Sequence, residues 1–273
     1  MSERVRRPRG IPLRALVPNA VTALALCCGL TGVRYAISAA NGVDGDWEKA
    51  VAAIIVAAVL DGMDGRIARA LKGQSRFGAE LDSLSDVIAF GVSPAIILYL
   101  WSLQYLPRFG WIFALAHAVC AALRLARFNA AIDVEEQPHK SAGFLTGVPA
   151  PAGAGLTLLP VYLWLWSGEE IFRQTYVVAP WAALIAFLMV SNLATFSWGS
   201  LRLRSRVRLW AIVVIALIGG ALFSAPWPTL SIAAMVYAAL IPASIYAYGK
   251  IRRQRARGAV RAASPPGAGE PTP

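Results

Sequence analysis

Four aspartates crowded into one short stretch of an otherwise apolar chain are the residues best placed to do chemistry. Asp61 and Asp64 lie three positions apart in Leu60-Asp61-Gly62-Met63-Asp64-Gly65-Arg66-Ile67-Ala68-Arg69. Asp82 and Asp86 lie four apart in Gly78-Ala79-Glu80-Leu81-Asp82-Ser83-Leu84-Ser85-Asp86. On helices, those spacings put each pair on one face. A short polar turn near Gly73 would let two antiparallel helices bring the pairs together. Four bare carboxylates in one place repel one another, and divalent cations relieve that repulsion. An all-oxygen donor set with no Cys or His beside it suits Mg²⁺ or Mn²⁺ better than zinc. His117 and His139 are remote in sequence and read as structural or solvated. Hard cations held by few protein ligands share their coordination with phosphate oxygens, so a phosphate-bearing substrate is expected. Gly62, Gly65 and Gly78 leave room for a bulky ligand against the helix backbone. Arg69, eight residues after Asp61, returns to nearly the same face and can fork onto a phosphate. Two other readings compete: salt bridges from the acids to Arg66, Arg69 and Arg76 at a membrane boundary, and an ion-coupled transporter. The transporter reading predicts interrupted helices at the membrane midplane, whereas these acids fall at the ends of apolar runs.

The elements that must carry these residues are membrane helices. The chain has 273 residues, 57% hydrophobic and 15% charged, too apolar for a soluble domain of this length. The expected fold is all-α, a polytopic bundle of about eight transmembrane helices. They fall roughly at 18–39, 47–70, 85–105, 110–130, 148–167, 176–196, 208–225 and 228–249. The first acid pair then closes the second span, and the second pair opens the third.

Basic residues cluster at alternate loops: Arg4, Arg6, Arg7, Arg9 and Arg14, then Arg202, Arg204, Arg206 and Arg208, then Lys250, Arg252, Arg253, Arg255, Arg257 and Arg261. The loops between carry Asp44, Asp46, Glu48, Glu169 and Glu170. This asymmetry puts both termini in the cytoplasm and requires an even number of spans. It also argues against a nucleic-acid partner, because the net charge of +11 is not gathered on a soluble module; anionic membrane lipids account for it. Residues 1–17 read as a basic cytoplasmic segment along the membrane surface, 18–249 as the membrane catalytic domain, and 250–273 as a basic, disordered cytoplasmic tail. The first apolar run is too long for a cleaved signal peptide, lacks a small-residue cleavage site, and opens with Pro18-Asn19 like a helix start. Cys27, Cys28 and Cys120 fall within spans and read as free thiols at helix interfaces.

The pattern Asp61-Gly62-x-Asp64-Gly65-x-x-Ala68-Arg69, followed at fixed intervals by Gly78, Asp82 and Asp86, resembles the complete signature of the CDP-alcohol phosphotransferases. The resemblance implies a membrane-embedded helical fold, a homodimer, and a site opening at the cytoplasmic interface. It implies that Asp61, Asp64 and Asp82 hold the metals and that Asp86 both binds metal and acts as general base. It places Gly62, Gly65, Arg69, Ser75 and Gly78 at the CDP-lipid, with the segment containing Pro18, Asn19 and Thr22 closing over the nucleotide.

Three further segments resemble the bacterial phosphatidylserine synthases of the membrane-integral type within that family. They are the stretch from Gly78 through Phe90-Gly91-Val92-Ser93-Pro94-Ala95, then Leu123-Arg124-Leu125-Ala126-Arg127-Phe128-Asn129, then Phe144-Leu145-Thr146-Gly147-Val148-Pro149-Ala150-Pro151; Leu188-Met189-Val190-Ser191-Asn192 fits more loosely. This likeness implies a bacterial cytoplasmic membrane and transfer of the phosphatidyl group of CDP-diacylglycerol to the hydroxyl of L-serine, with CMP leaving. Glycerol 3-phosphate or an inositol compound would suit the same motif. Arg124 and Arg127, three apart near the cytoplasmic end of the fourth span, are candidates for the serine carboxylate, with Glu80 for the amino group. The competing reading has both arginines snorkelling to lipid phosphates.

Overall fold

The structure, a computed structural model, describes residues 13–130, 144–191, 193–196 and 205–263. The first four N-terminal arginines, the loop with Glu135, Glu136 and His139, Asn192, Arg202, Arg204 and the Pro-rich end lie outside the described residues. The described residues form ten α-helices: α1 (Leu13–Ala40), α2 (Asp46–Ala70), α3 (Arg76–Asp86), α4 (Ser93–Trp101), α5 (Gly110–Ala130), α6 (Ala150–Thr157), α7 (Leu159–Ser167), α8 (Thr175–Val190), α9 (Ser205–Ser224) and α10 (Pro226–Ala263). A π-helical segment, Val87–Val92, joins α3 to α4 without a break. Two three-residue strands, β1 (Phe144–Thr146) and β2 (Ala194–Phe196), pair antiparallel and are a minor departure from the helical architecture.

Among the described residues, four stretches are long and apolar enough to cross a membrane: Leu16–Ala40, Arg76–Trp101, Gly110–Ala130 and Pro226–Tyr246. The other expected spans differ for physical reasons. The second half of α2 holds Asp61, Asp64 and Arg66 close together, so its hydropathy is interrupted by the acids it presents. The run 148–167 is split at Leu158, ahead of Pro160, which occupies the first turn of α7, where its missing N–H costs nothing. α8 is apolar but shorter than a full crossing. Two boundaries correct the sequence reading. Pro18 lies inside α1 instead of opening it. α10 continues to Ala263, where a disordered tail from residue 250 was expected, because a helix already nucleated propagates readily through Arg, Gln and Ala.

Small residues set the packing. α1 and α2 form a hairpin over Ala36, Ala39, Ala50, Val51, Ile54 and Ala57, and a Cβ on Gly32 would come within 2.9 Å of the Ala50 carbonyl. The centre of the core is formed by Phe90, Ile97, Leu98 and Trp101 against Leu158, Val161, Tyr162 and Val178. At the end of the bundle away from the acids, Arg173 is a clamp. Its Nε donates to the Trp101 carbonyl at 3.0 Å, and its guanidinium lies 6.0 and 5.7 Å from the ring centroids of Trp101 and Trp164. Ser102 Oγ donates in turn to the Arg173 carbonyl at 2.6 Å.

Candidate active site

The site forms where α2 ends and α3 begins. Leu71–Ser75 make the turn, with Lys72 in the left-handed region at φ 52°. Ser75 caps α3: its backbone is extended, and its Oγ accepts the Gly78 N–H at 3.0 Å, satisfying a donor that the helix start would leave free. With the two helix axes fixed this way, the four predicted acids converge. Asp61, Asp64 and Asp82 each offer an oxygen, and these atoms lie within 4.8 Å of one another. The carboxyl of Asp86 pairs with that of Asp61.

A third helix closes on this cluster. Asp64 is buried, and its Oδ2 accepts the Thr22 hydroxyl of α1 at 2.6 Å. Ser85 Oγ donates to the Thr22 carbonyl at 3.2 Å, so Thr22 connects α1 to both acid-bearing helices. Among the described residues, no ion pair joins these acids to Arg66, Arg69 or Arg76; the one such pair is Lys49–Asp46 at 2.6 Å, at the opposite end of α2. Instead, Asp86 Oδ1 is buried with no hydrogen-bond partner. An orphaned carboxylate oxygen beside three further carboxylates fits a hard divalent cation, which takes oxygen ligands and tolerates several anionic ones.

Beside the acids opens a cavity of about 300 Å³, with Asp64 and Asp82 in its wall. Pro18, Asn19, Thr22, Gly65, Arg69, Ser75 and Gly78 line it, seven of the eight residues that the sequence resemblance assigns to the CDP-lipid. Gly62 does not: it is exposed and outside this lining. The glycines divide by role. A Cβ on Gly65 would meet nothing within 4 Å, so its smallness keeps the cavity open; one on Gly78 would lie 2.7 Å from Asn19 Oδ1, so Gly78 also admits α1. Gly73 and Gln74 line the cavity too, and the signal for them was their place in the turn between the two acid pairs.

The acceptor candidates separate. Arg124 lies within electrostatic reach of Asp86 and of Tyr237 on α10, and its Nε is buried without a partner. Its guanidinium sits 6.0 Å from the Phe128 ring centroid. Arg127 turns elsewhere, donating from Nη1 to the Val190 carbonyl at 2.9 Å and from Nη2 to the Ser191 carbonyl at 3.3 Å. There it satisfies carbonyls that the end of α8 leaves open. Glu80 is exposed and outside the cavity lining. Sequence reasoning missed two neighbours. Asn129 Nδ2 donates to Ser83 Oγ at 2.8 Å, tying α5 to α3 next to Asp82. Tyr237 shares with Ala58 and Leu156 the wall of an apolar cavity of about 240 Å³, one turn along α2 from Asp61. Asn129 closes the Leu123–Asn129 segment of the resemblance, which was its signal, whereas Tyr237 sits in no pattern that would have marked it.

Comparison with known proteins converges on this same region. Residues 15–190 match the family described as CDP-alcohol phosphatidyltransferase. A CDP-diacylglycerol–serine O-phosphatidyltransferase of Mycobacterium leprae is 35% identical over 246 residues, covering 90% of this chain and 79% of the relative. One from Helicobacter pylori is 31% identical over 208 residues, covering 74% of this chain and 81% of the relative. One from Bacillus subtilis is 39% identical over 111 residues, 40% of this chain and 59% of the relative.

Proposed function

The chain belongs to the CDP-alcohol phosphatidyltransferase family, and from that premise we propose that it transfers the phosphatidyl group of CDP-diacylglycerol to the hydroxyl of L-serine, giving phosphatidylserine and CMP. It is an integral membrane protein, and we place it in the bacterial cytoplasmic membrane with both termini and the acid cluster on the cytoplasmic side. The observation that carries the reading is the convergence of four aspartates, one with an orphaned oxygen, beside a cavity open to a nucleotide.

In the reaction, the serine oxygen bonds to the lipid-proximal phosphorus while the bond from that phosphorus to the CMP oxygen breaks. The serine hydroxyl proton passes to a carboxylate oxygen of Asp86, whose buried position beside Asp61 makes it the general base. Asp61, Asp64, Asp82 and Asp86 would hold Mg²⁺ or Mn²⁺, which when bound supplies Lewis-acid stabilisation of charge on the phosphates. Arg69 reaches the phosphates from the cavity wall, and Asn19 and Thr22 cover the nucleotide. Arg124 takes the serine carboxylate, because its guanidinium lies within electrostatic reach of Asp86 and its Nε has no partner, while that of Arg127 is engaged at the end of α8. Direct in-line transfer is the simplest course, with the four aspartates engaged as metal ligands and base. A homodimer is part of the same proposal.

The test is purified protein given CDP-diacylglycerol, Mn²⁺ and each acceptor separately, with CMP release measured. Serine should support turnover far above glycerol 3-phosphate or inositol phosphate. Faster release with either alternative removes serine and leaves the transfer chemistry, whereas no CMP with any acceptor removes both.

A further inference from the structure

The helix carrying Asp82 and Asp86 is not regular. Val87–Val92, beginning one residue after Asp86, is π-helical. Such a turn holds one residue more than an α-turn, and the insertion rotates whatever precedes it by about 100° relative to an unbroken helix. The bearing of Asp82 and Asp86 against the packed half of the same span, where Ile97, Leu98 and Trp101 are buried, therefore depends on the π segment persisting. A wider turn also disturbs the regular backbone ladder, and a carbonyl in the membrane interior needs a partner.

The neighbours grip this segment from three sides. A Cβ on Gly29 of α1 would lie 2.8 Å from the Ala89 Cα, and one on Gly91 would lie 2.9 Å from the Ala121 Cβ of α5. The third contact is polar. His117 of α5 is 1% exposed, with Nε2 3.4 Å from the Phe90 carbonyl and Nδ1 3.1 Å from Thr157 Oγ1 of α6. The carbonyl can only accept, so Nε2 carries a hydrogen; Nδ1 in the neutral ring then accepts the threonine hydroxyl. Thr157 thus fixes the tautomer that lets His117 donate into the π segment. Burying an imidazole in this environment is costly, and the proposed chemistry does not use it.

We propose that His117 is a positioning residue: by donating to the Phe90 carbonyl it holds the π segment, and through that segment the direction in which Asp86 presents its carboxylate beside Asp61. This rests on the role given to Asp86 above.

The test uses full-length protein in detergent carrying His117→Leu, His117→Gln or Thr157→Val. The measurements are kcat, KM for CDP-diacylglycerol and serine, Mn²⁺ affinity without substrate by electron paramagnetic resonance, and Tm. His117→Leu should lower kcat and Mn²⁺ affinity by about tenfold or more, the scale seen when a residue that orients a metal ligand is lost. The KM for the CDP-lipid should change less than either, because no residue of the π segment lines the nucleotide cavity. His117→Gln, which keeps an N–H able to reach the carbonyl, should recover most of both losses, and Thr157→Val should fall between. Wild-type kcat and Mn²⁺ affinity in folded His117→Leu overturn the inference. If that variant does not fold, the same result in Thr157→Val overturns it. A wild-type protein that releases no CMP would sink the transfer reading alone, since the Mn²⁺ measurement still decides the part played by His117.

Discussion

Thr22 spends its one hydroxyl proton on Asp64 at 2.6 Å, although the same oxygen also lies 3.1 Å from the Pro18 carbonyl. A carboxylate oriented by a neutral donor keeps its charge for a cation while losing rotational freedom, which is how a supporting residue sharpens a metal site. Thr22→Val should therefore lower turnover by about 10–100-fold, and Thr22→Ser should restore most of it; equal rates for the two variants in a CMP-release assay would remove Thr22 from the site. The two arginines of α5 make a second contrast. Arg124→Lys should raise KM for serine well above any change in KM for the CDP-lipid, because an ammonium cannot reproduce the fork. Arg127→Lys should lower stability instead, by about 1–2 kcal/mol and with it Tm, as backbone carbonyls at the end of α8 lose a donor. A serine-specific KM effect in Arg127→Lys would reverse these assignments. Helical spacing alone put both arginines on one face; what it could not contain was the pull of an α8 terminus far away in sequence.

The three helices of the site are held by close backbone approaches, and glycines report where. A Cβ at Gly29 would press on the Ala89 backbone, so Gly29→Ala should separate α1 from the π segment and lower stability by about 1–3 kcal/mol. Gly65→Ala meets only open space; it should leave Tm unchanged and raise KM for the CDP-lipid by about tenfold or more. Thermal unfolding in detergent beside steady-state kinetics separates the two, and a Tm loss at Gly65 would mean that the cavity wall is packed rather than open. Much of this assembly was legible beforehand. The acid spacings and the polar turn near Gly73 already implied an antiparallel pair with converging carboxylates, because both depend on local periodicity. The course of α1 through Pro18 was not legible, since proline ordinarily marks a first turn, and here the helix accepts the loss of one backbone bond beside the cavity. The π segment was equally hidden: Val-Ile-Ala-Phe-Gly-Val reads as an ordinary apolar helix, and only packing against α1, α5 and α6 selects the wider turn.

For the molecule as a whole, the charge pattern makes a claim about orientation. Reporter fusions after Arg253 and after Glu169 should fall on opposite sides of the membrane, with Arg253 cytoplasmic; the same side for both would overturn the proposed topology. That pattern was legible because loop charges act one by one, whereas the association of α10 with α7, and of Tyr237 with Arg124, joins residues with no shared period. The two ends of the bundle are also fastened differently. Around Arg173 a guanidinium, two indoles and two backbone carbonyls lock the turn before α8 to the end of α4, while at the acids α1 is fastened chiefly by the contacts of Thr22. The rim that must admit a headgroup is therefore tied to α1 through the hydroxyl contacts of Thr22 and Ser85, the first of which one substitution at Thr22 would remove, whereas the rim at Arg173 rests on several partners at once.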